Sequence, residues 1–332
     1  MRLIGQIHIT LKGSIVQRNP TVWEKFKRGF GARVDLDTDR MRVELEATAV
    51  VDQVKRALGR LGVGNALSLV IDDTVIFQDT DGKPDDLPDL MLALSEHASL
   101  FGRGFRELRF AAEHEEAGLH LVIETRARTE HLQDEPAALV SIGGRVQDLE
   151  PRRGESGDEY RRRVEPLTKD AALFEAARLQ FESFVGRLED ALKAAMPEAR
   201  VEQHHADARV VHAPDGDGAA PHPVGPTHPG YDPFMVYYPP SPLGMMLDVM
   251  LISSFMHMLS PPHIFVVNPA GATLGTAQEA AANPDVLNAA DRGGGDDEAD
   301  DGGDDEGGDD GDPWTDDGGG DDGGGDLGDF GD

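Results

Sequence analysis

The Gly- and Asp-rich segment at residues 291–332 most constrains what this chain of 332 residues can fold into. It holds 19 Asp or Glu against one Arg, and its large apolar residues are Trp314, Leu327 and Phe330. Burying so few apolar groups does not offset the conformational entropy lost on folding. The sequence therefore predicts a disordered acidic tail, Ala-rich and then Gly/Asp-rich, over 270–332. A folded core must come from the residues before it.

The charge of the chain is distributed unevenly. Of a formal net charge of -31, -18 lies in residues 291–332. Such a concentrated negative field opposes the approach of nucleic-acid phosphates and favours basic partners. We therefore expect a protein partner, possibly with a basic patch, and no direct nucleic acid binding.

Composition divides the remaining chain into three zones. Residues 1–212 have globular patterning, 213–232 form a Pro/Gly/His-rich linker, and 233–269 are rich in Met and aromatic residues. Successive prolines fix φ and remove backbone donors, which is typical of an extended connection. The third zone is interpreted as a docking segment or as a cap on the core.

Several short apolar or alternating runs in the first zone predict strands. The Glu115–Gly118 turn between two of these runs indicates a hairpin. Residues 41–49 alternate apolar and polar side chains, which predicts one more strand with a solvated face. The predicted strands are Met1–Lys12, 41–49, Leu67–Ile71, Thr74–Phe77, Glu107–His114, Leu119–Ala127, Ala137–Ile142 and, in the third zone, Ile264–Val267.

Helices are predicted between these strands. The longest spans Lys169–Met196, where apolar residues recur every three or four positions and Pro197 marks the end. Ser156 and Glu159 have the spacing of a capping box for a shorter helix. Weaker patterns predict helices at 52–61 and 87–100. This mixed order of elements predicts an α+β domain with a mainly antiparallel sheet and a long packed helix, in preference to a doubly wound parallel sheet.

Sequence motifs for common enzyme classes are missing from the chain. Gly62-Val-Gly64 and Gly102-Arg-Gly104 lack the third glycine of a dinucleotide-binding loop, and no nucleophile elbow of the G-x-S-x-G type occurs. The acids of Asp79–Asp86 lack the bidentate Glu of a calcium loop and indicate a solvated turn. We therefore expect no cofactor, and the pattern favours a protein that is not an enzyme.

A series of histidines supports an alternative in the metal-binding class. His204, His205 and His212 are the candidate ligands, followed by His222 and His228. Neutral imidazole is a good ligand for transition metals. Their irregular spacing among Pro and Gly also fits solvent-exposed histidines of a linker. A metal-binding protein or metal-dependent enzyme that uses this region is thus the alternative function.

The apolar run Leu243–Leu259 predicts a Met-rich helix of 17 residues. It is short for a membrane span of about 20 residues, and Asp248 and His257 would be costly within lipid. Core packing and docking to a partner explain it about equally well. A copper site at Met256–Met258 and peripheral membrane contact through 243–259 are further alternatives, and the acidic tail disfavours anionic lipid.

These features together predict a non-enzymatic adaptor or assembly protein. Aromatic residues among prolines and adaptable Met side chains are typical of recognition surfaces. The absence of Cys suits a reducing compartment, and the N-terminus lacks a signal-peptide pattern, so a cytoplasmic location is expected. The predicted partner-binding residues are Phe234, Tyr237, Tyr238, Met246, Met250, Phe255, Trp314 and Phe330.

Overall fold

A nine-stranded sheet organises the molecule. Its spatial order is β3-β2-β4-β5-β6-β1-β7-β8-β9, and every neighbouring pair is antiparallel except β7 and β8. The strands are β1 Arg2–Leu11, β2 Asn65–Ile71, β3 Thr74–Gln78, β4 Glu107–Glu116, β5 Leu119–Arg128, β6 Ala138–Val146, β7 Ala199–Val211, β8 Ile264–Val267 and β9 Thr273–Thr276. The N-terminal strand thus lies inside the sheet, between β6 and β7.

The computed structural model describes residues 1–11, 38–80, 82, 104–129, 135–212, 224–239, 241–257, 263–268, 272–283 and 285. All of these belong to one compact unit, Met1–Gly294. The described helices are α1 Thr38–Arg60, α2 Gly157–Val164, α3 Ala171–Ala195, α4 Phe234–Tyr237, α5 Pro242–His257 and α6 Ala277–Ala282.

Helices α1 and α3 lie against one face of the sheet, here called the helix-covered face. Asp170 begins α3, because its Oδ1 accepts hydrogen bonds from the backbone N–H groups of Ala172 and Leu173. The buried side of α3 carries Phe174, Ala177, Phe181, Phe184, Val185, Leu188 and Leu192. Alternate residues of the central strands, such as Leu121 and Ile142, complete this apolar core.

The predicted fold class is confirmed. The sheet is mainly antiparallel, and the predicted long helix corresponds to α3. The capping box of Ser156 and Glu159 begins α2. The hairpin of β4 and β5 turns at Ala117 and Gly118, whose φ values of 51° and 78° fit a two-residue turn that follows the twist of the strands.

The strand predicted at 41–49 is wrong, because these residues lie within α1. Further along α1, Val50, Val54, Ala57 and Leu58 are buried at helical spacing. The alternation of apolar and polar residues at 41–49 is short enough to occur in a strand or in a helix. The longer apolar stripe of α1 packs against the core, and this packing favours the helix. The helix predicted at 87–100 lies outside the described residues.

Candidate functional site

Residues 224–239, here called the strap, run across the second face of the sheet. Gln6 on β1 donates a hydrogen bond from Nε2 to the carbonyl oxygen of Pro226 at 3.0 Å. Phe234 is fully buried in a small cluster with Leu67, Ala111 and Val122. Gly143 on β6 makes room, because a Cβ there would be 2.6 Å from Asp232 Oδ1 and 2.9 Å from the Phe234 ring. The sheet thus has a slot shaped for the strap.

A fully buried carboxylate, Glu124 on β5, binds the middle of the strap. Tyr231 donates a hydrogen bond from Oη to Glu124 Oε1 at 2.8 Å, and Tyr237 donates to Oε2 at 3.3 Å. Arg126 Nε donates to Oε1 at 2.6 Å, and Arg126 Nη2 donates to Tyr231 Oη at 2.9 Å. Because a buried charge is stable only with partners, Glu124 and the strap depend on each other.

The pKa values of these tyrosines keep their hydroxyls protonated. Burial raises the pKa of Tyr237 to about 12, and the charge of Glu124 acts in the same direction. Burial and Glu124 also raise the pKa of Tyr231. Both side chains therefore remain hydrogen-bond donors to Glu124 across the physiological pH range.

A second polar network holds the end of the strap. His120 on β5 lies between Glu113 of β4 and Glu150, with Nε2 donating to Glu113 Oε1 and Nδ1 donating to Glu150 Oε1 at 2.9 Å. Tyr238 of the strap donates to Glu113 Oε1 at 2.6 Å, and Asn65 donates to Glu113 Oε2 at 2.9 Å. One carboxylate therefore joins β2, β5 and the strap.

Charge stabilises this second network. Burial lowers the pKa of His120, but hydrogen bonds to Glu113 and Glu150 outweigh burial and raise the pKa to about 9. The hydrogen bond from His120 lowers the pKa of Glu113 to about 2. At neutral pH, His120 is therefore a cation whose two ring N–H groups both donate to carboxylates. It has no free lone pair with which to act as a general base.

Helix α5 has one buried and one exposed side. Leu251 is fully buried, and Ser254 shares a 2.9 Å hydrogen bond with the buried Thr168. On the opposite side, Met245 is 47% exposed and Val249 is 63% exposed. These two residues are four positions apart and lie on the same face. Within the described part of the chain, no helix is long and apolar enough to cross a membrane.

The predicted partner-binding residues fall into three groups. Phe234, Tyr237 and Tyr238 pack within the chain as parts of the strap. Met246 lies partly buried against the core, where it accepts a weak hydrogen bond from Arg161 at 3.7 Å, and Met250 is half-buried. Trp314, Phe330 and the side chain of Phe255 lie outside the described residues. Sequence reasoning missed Met245 and Val249, although both lie within the predicted helix.

The histidine candidates lie on β7 and at its end. The His204 ring stacks on the ring of His8 from β1, with centroids 3.5 Å apart. His205 is half-buried beside it, and His212 follows the end of the strand. Among the residues that the structure describes, no three His, Asp or Glu side chains stand ready to hold a metal ion. Sequence reasoning missed His8, which lies far from His204 along the chain.

In comparisons with known proteins, no family model, curated protein or solved structure matched this chain. The function of this protein is therefore inferred from its own residues and their contacts.

Proposed function

We propose that this protein is a non-enzymatic adaptor or assembly protein that binds a protein partner through the exposed face of α5. One observation carries the proposal. Met245 and Val249 are exposed on a helix whose other side, through Leu251 and Ser254, is fixed to the core. A helix held in this way presents its apolar side chains without losing further order on binding, which lowers the cost of association.

The composition of α5 supports docking to an irregular groove. Met245 and Met250 have flexible, polarizable side chains that adapt to a partner surface. The acidic segment 291–332 supplies the second element of the proposal, because its charge of -18 would steer a partner with a basic patch. The partner we propose therefore combines an apolar groove with a basic surface.

Site-specific photocrosslinking in the full-length protein tests the docking face. A benzophenone side chain is introduced at Val249 and, as a matched control, at Leu179, which is 51% exposed on α3. We expect a protein adduct from position 249 alone, and we expect Val249→Asp to abolish partner binding while Leu179→Asp preserves it. Equal adducts from both positions, or binding unchanged by Val249→Asp, would rule out docking through α5.

A deletion tests the contribution of the acidic segment separately. Removing 291–332 should slow association with the partner at low salt, and the difference should disappear at high salt, because surface charges are then screened. Association rates with the captured partner measure this effect. A salt-independent loss of binding would mean that the segment makes short-range contacts instead of steering.

Peripheral membrane association is the competing proposal for the same face, because Met245 and Val249 could also enter a lipid surface. Flotation of the full-length protein with neutral and with anionic liposomes separates the two proposals. Flotation that depends on Val249 would replace the adaptor by a membrane-bound protein. We expect no flotation with either type of liposome.

A further inference from the structure

A group of exposed arginines, here called the arginine patch, lies on α2 and on the loop before it. Its members are Arg152, Arg153, Arg161 and Arg162. Among the residues that the structure describes, no carboxylate forms an ion pair with any of these four side chains. The chain has 62 acidic residues against 31 Lys and Arg, so four exposed arginines without such a partner call for a physical explanation. An anionic group on a binding partner supplies one.

Two of the three acidic side chains between 152 and 163 are engaged locally. Glu155 accepts hydrogen bonds from Arg163 at 2.7 and 2.8 Å, and Glu159 belongs to the capping box of α2. Arg163 also donates to the carbonyl oxygen of Glu150 at 2.8 Å, which fixes the loop to the helix. The segment 152–163 holds five Arg against three acidic residues, so its formal charge is +2. The arginine patch is therefore a fixed cationic surface on an acidic protein.

The arginine patch and the exposed face of α5 are continuous. Arg161 Nη2 donates a weak hydrogen bond to Met246 Sδ at 3.7 Å, and a Cβ at Gly157 would lie 3.9 Å from Leu243 Cδ2. Helix α2 thus lies along the side of α5 that carries Met246. Met245, the next residue, is exposed on the adjoining side of α5. One surface therefore offers apolar contacts on α5 and cationic groups along one border of them.

This combination fits an acidic element that also carries apolar side chains. A guanidinium group binds a carboxylate through two parallel hydrogen bonds. Apolar contact beside such a pair excludes water and strengthens it. Nucleic-acid phosphates would also supply anions, but the net charge of -31 repels them, and a sugar-phosphate backbone offers no apolar side chain to Met245 and Val249.

We propose that the arginine patch binds carboxylates of the partner that docks on α5, and that the partner element beside α2 is an acidic amphipathic helix. Its apolar side would contact α5, and its carboxylates would contact Arg161 and Arg162. This inference rests on the proposed function, because it names the chemistry of the same partner. The acidic helix is a different part of that partner from the basic surface that the segment 291–332 would attract.

Binding of designed peptides to the full-length protein, measured by fluorescence anisotropy, tests the surface. The first probe is an amphipathic helix of about 18 residues, or five turns, with Leu and Met on one face and Glu along its borders. The second probe has Gln in place of every Glu. The third has Ser in place of every Leu and Met and keeps the charge. We expect the first probe to bind and the other two to bind at least about tenfold more weakly.

Two double variants separate the arginine patch from the general charge of the protein. Arg161→Gln with Arg162→Gln should weaken binding of the first probe by about five- to tenfold at low salt. The difference should shrink at high salt, because these charges lie at the border of the contact. Arg128→Gln with Arg200→Gln is the matched control. It removes the same charge from two solvent-accessible side chains at the other end of the strands from α2, and binding should be unchanged.

The variant Val249→Asp distinguishes a failure of this inference from a failure of the proposed function. It should abolish binding of the first probe. If it does, and the variant of Arg161 and Arg162 binds like the unmodified protein, α5 remains the docking face and the acidic helix is ruled out. If only the arginine variant loses binding, α5 is ruled out as the docking face and the joint surface with it.

Other occupants of the surface give different results. Equal binding of the first and third probes, or tighter binding of a single-stranded oligonucleotide of the same charge, would show that charge alone is recognised and would overturn the proposal. Sedimentation of the protein alone tests a second copy as the occupant. Self-association that the variant of Arg161 and Arg162 prevents would assign the surface to that copy and overturn the acidic helix, as would the absence of binding by any of the three peptides.

Discussion

The two faces of the sheet are covered in different ways. On the helix-covered face, α1 and α3 pack apolar side chains such as Phe181 against apolar strand residues. On the other face, the strap is held by the buried carboxylate of Glu124 and the half-buried carboxylate of Glu113. The first kind of packing is non-directional and tolerates small shifts, whereas the second depends on the placement of individual donors and acceptors. Stability on the two faces should therefore respond to different perturbations.

Two consecutive glycines of β6 show the contrast within one strand. A Cβ at Gly144 would be 3.1 Å from the ring of Phe181, whereas a Cβ at Gly143 would be 2.6 Å from Asp232 Oδ1 and 2.9 Å from the Phe234 ring. Because neighbouring residues of a strand point to opposite faces, Gly143 makes room for the strap and Gly144 makes room for α3. The close approach of the strap and of α3 to β6 explains why neither position carries a side chain.

The largest effect is expected from Phe181→Ala on the helix-covered face. Phe181 is fully buried, and its truncation leaves a cavity against β1 and β6. The free energy of unfolding should fall by about 3–5 kcal/mol. Urea unfolding measures the change, with Leu179→Ala on the exposed side of α3 as the control, for which a change within about 0.5 kcal/mol is expected. Similar losses for both variants would contradict the packing described for α3.

A smaller effect that is specific to the strap is expected from Gly143→Ala. The added methyl group meets Asp232 and Phe234, so the strap must shift away from the sheet. Overpacking of this kind costs about 1–3 kcal/mol. Hydrogen exchange should become faster in 224–239 and stay unchanged in α3.

Gly144→Ala is the matched partner of this experiment, because its methyl group meets Phe181 on the opposite face. It should disturb α3 and leave the exchange of the strap unchanged. If both variants accelerated exchange in the same segment, the two faces would not be independent.

The same contrast explains how much of the fold the sequence predicted. Helix α3 was predictable because Phe174, Phe181 and Leu188 repeat at helical spacing within one segment. The sequence pattern assigns the strap in part to a linker, since its prolines carry no periodic signal. Its tyrosines reach Glu124 across more than 100 positions of sequence, and such pairings follow only from the assembled sheet.

The candidate sites show the same limit. The helix at α5 was predicted, but which of its side chains face outward was decided by the packing of Leu251 and Ser254. Likewise, His204 was a candidate ligand, but its neighbour His8 became visible only through the pairing of β1 with β7. Local sequence patterns predict single helices and strands. A site that combines residues of two elements can be predicted only when the pairing of those elements is known.

The smallest expected effect is a pH dependence of the free energy of unfolding, which should arise from His120 on the strap side of the sheet and not from the helix-covered face. The pKa of His120 is raised from its ordinary value of 6.5 to about 9 in the folded protein. The folded state therefore binds the proton more tightly than the unfolded state, and the resulting stabilisation is complete below pH 6.5 and lost as the pH rises through about 9. After allowance for solvent screening, we expect a loss of about 1–2 kcal/mol over this range.

Urea unfolding at several pH values should show this slope in the unmodified protein and in Phe181→Ala alike. The variant His120→Gln should remove the slope, because the cation that joins Glu113 to Glu150 is then absent. An unchanged slope in His120→Gln would show that other groups cause the pH dependence. The ion pairs of His120 with Glu113 and Glu150 would then not stabilise the strap side of the sheet.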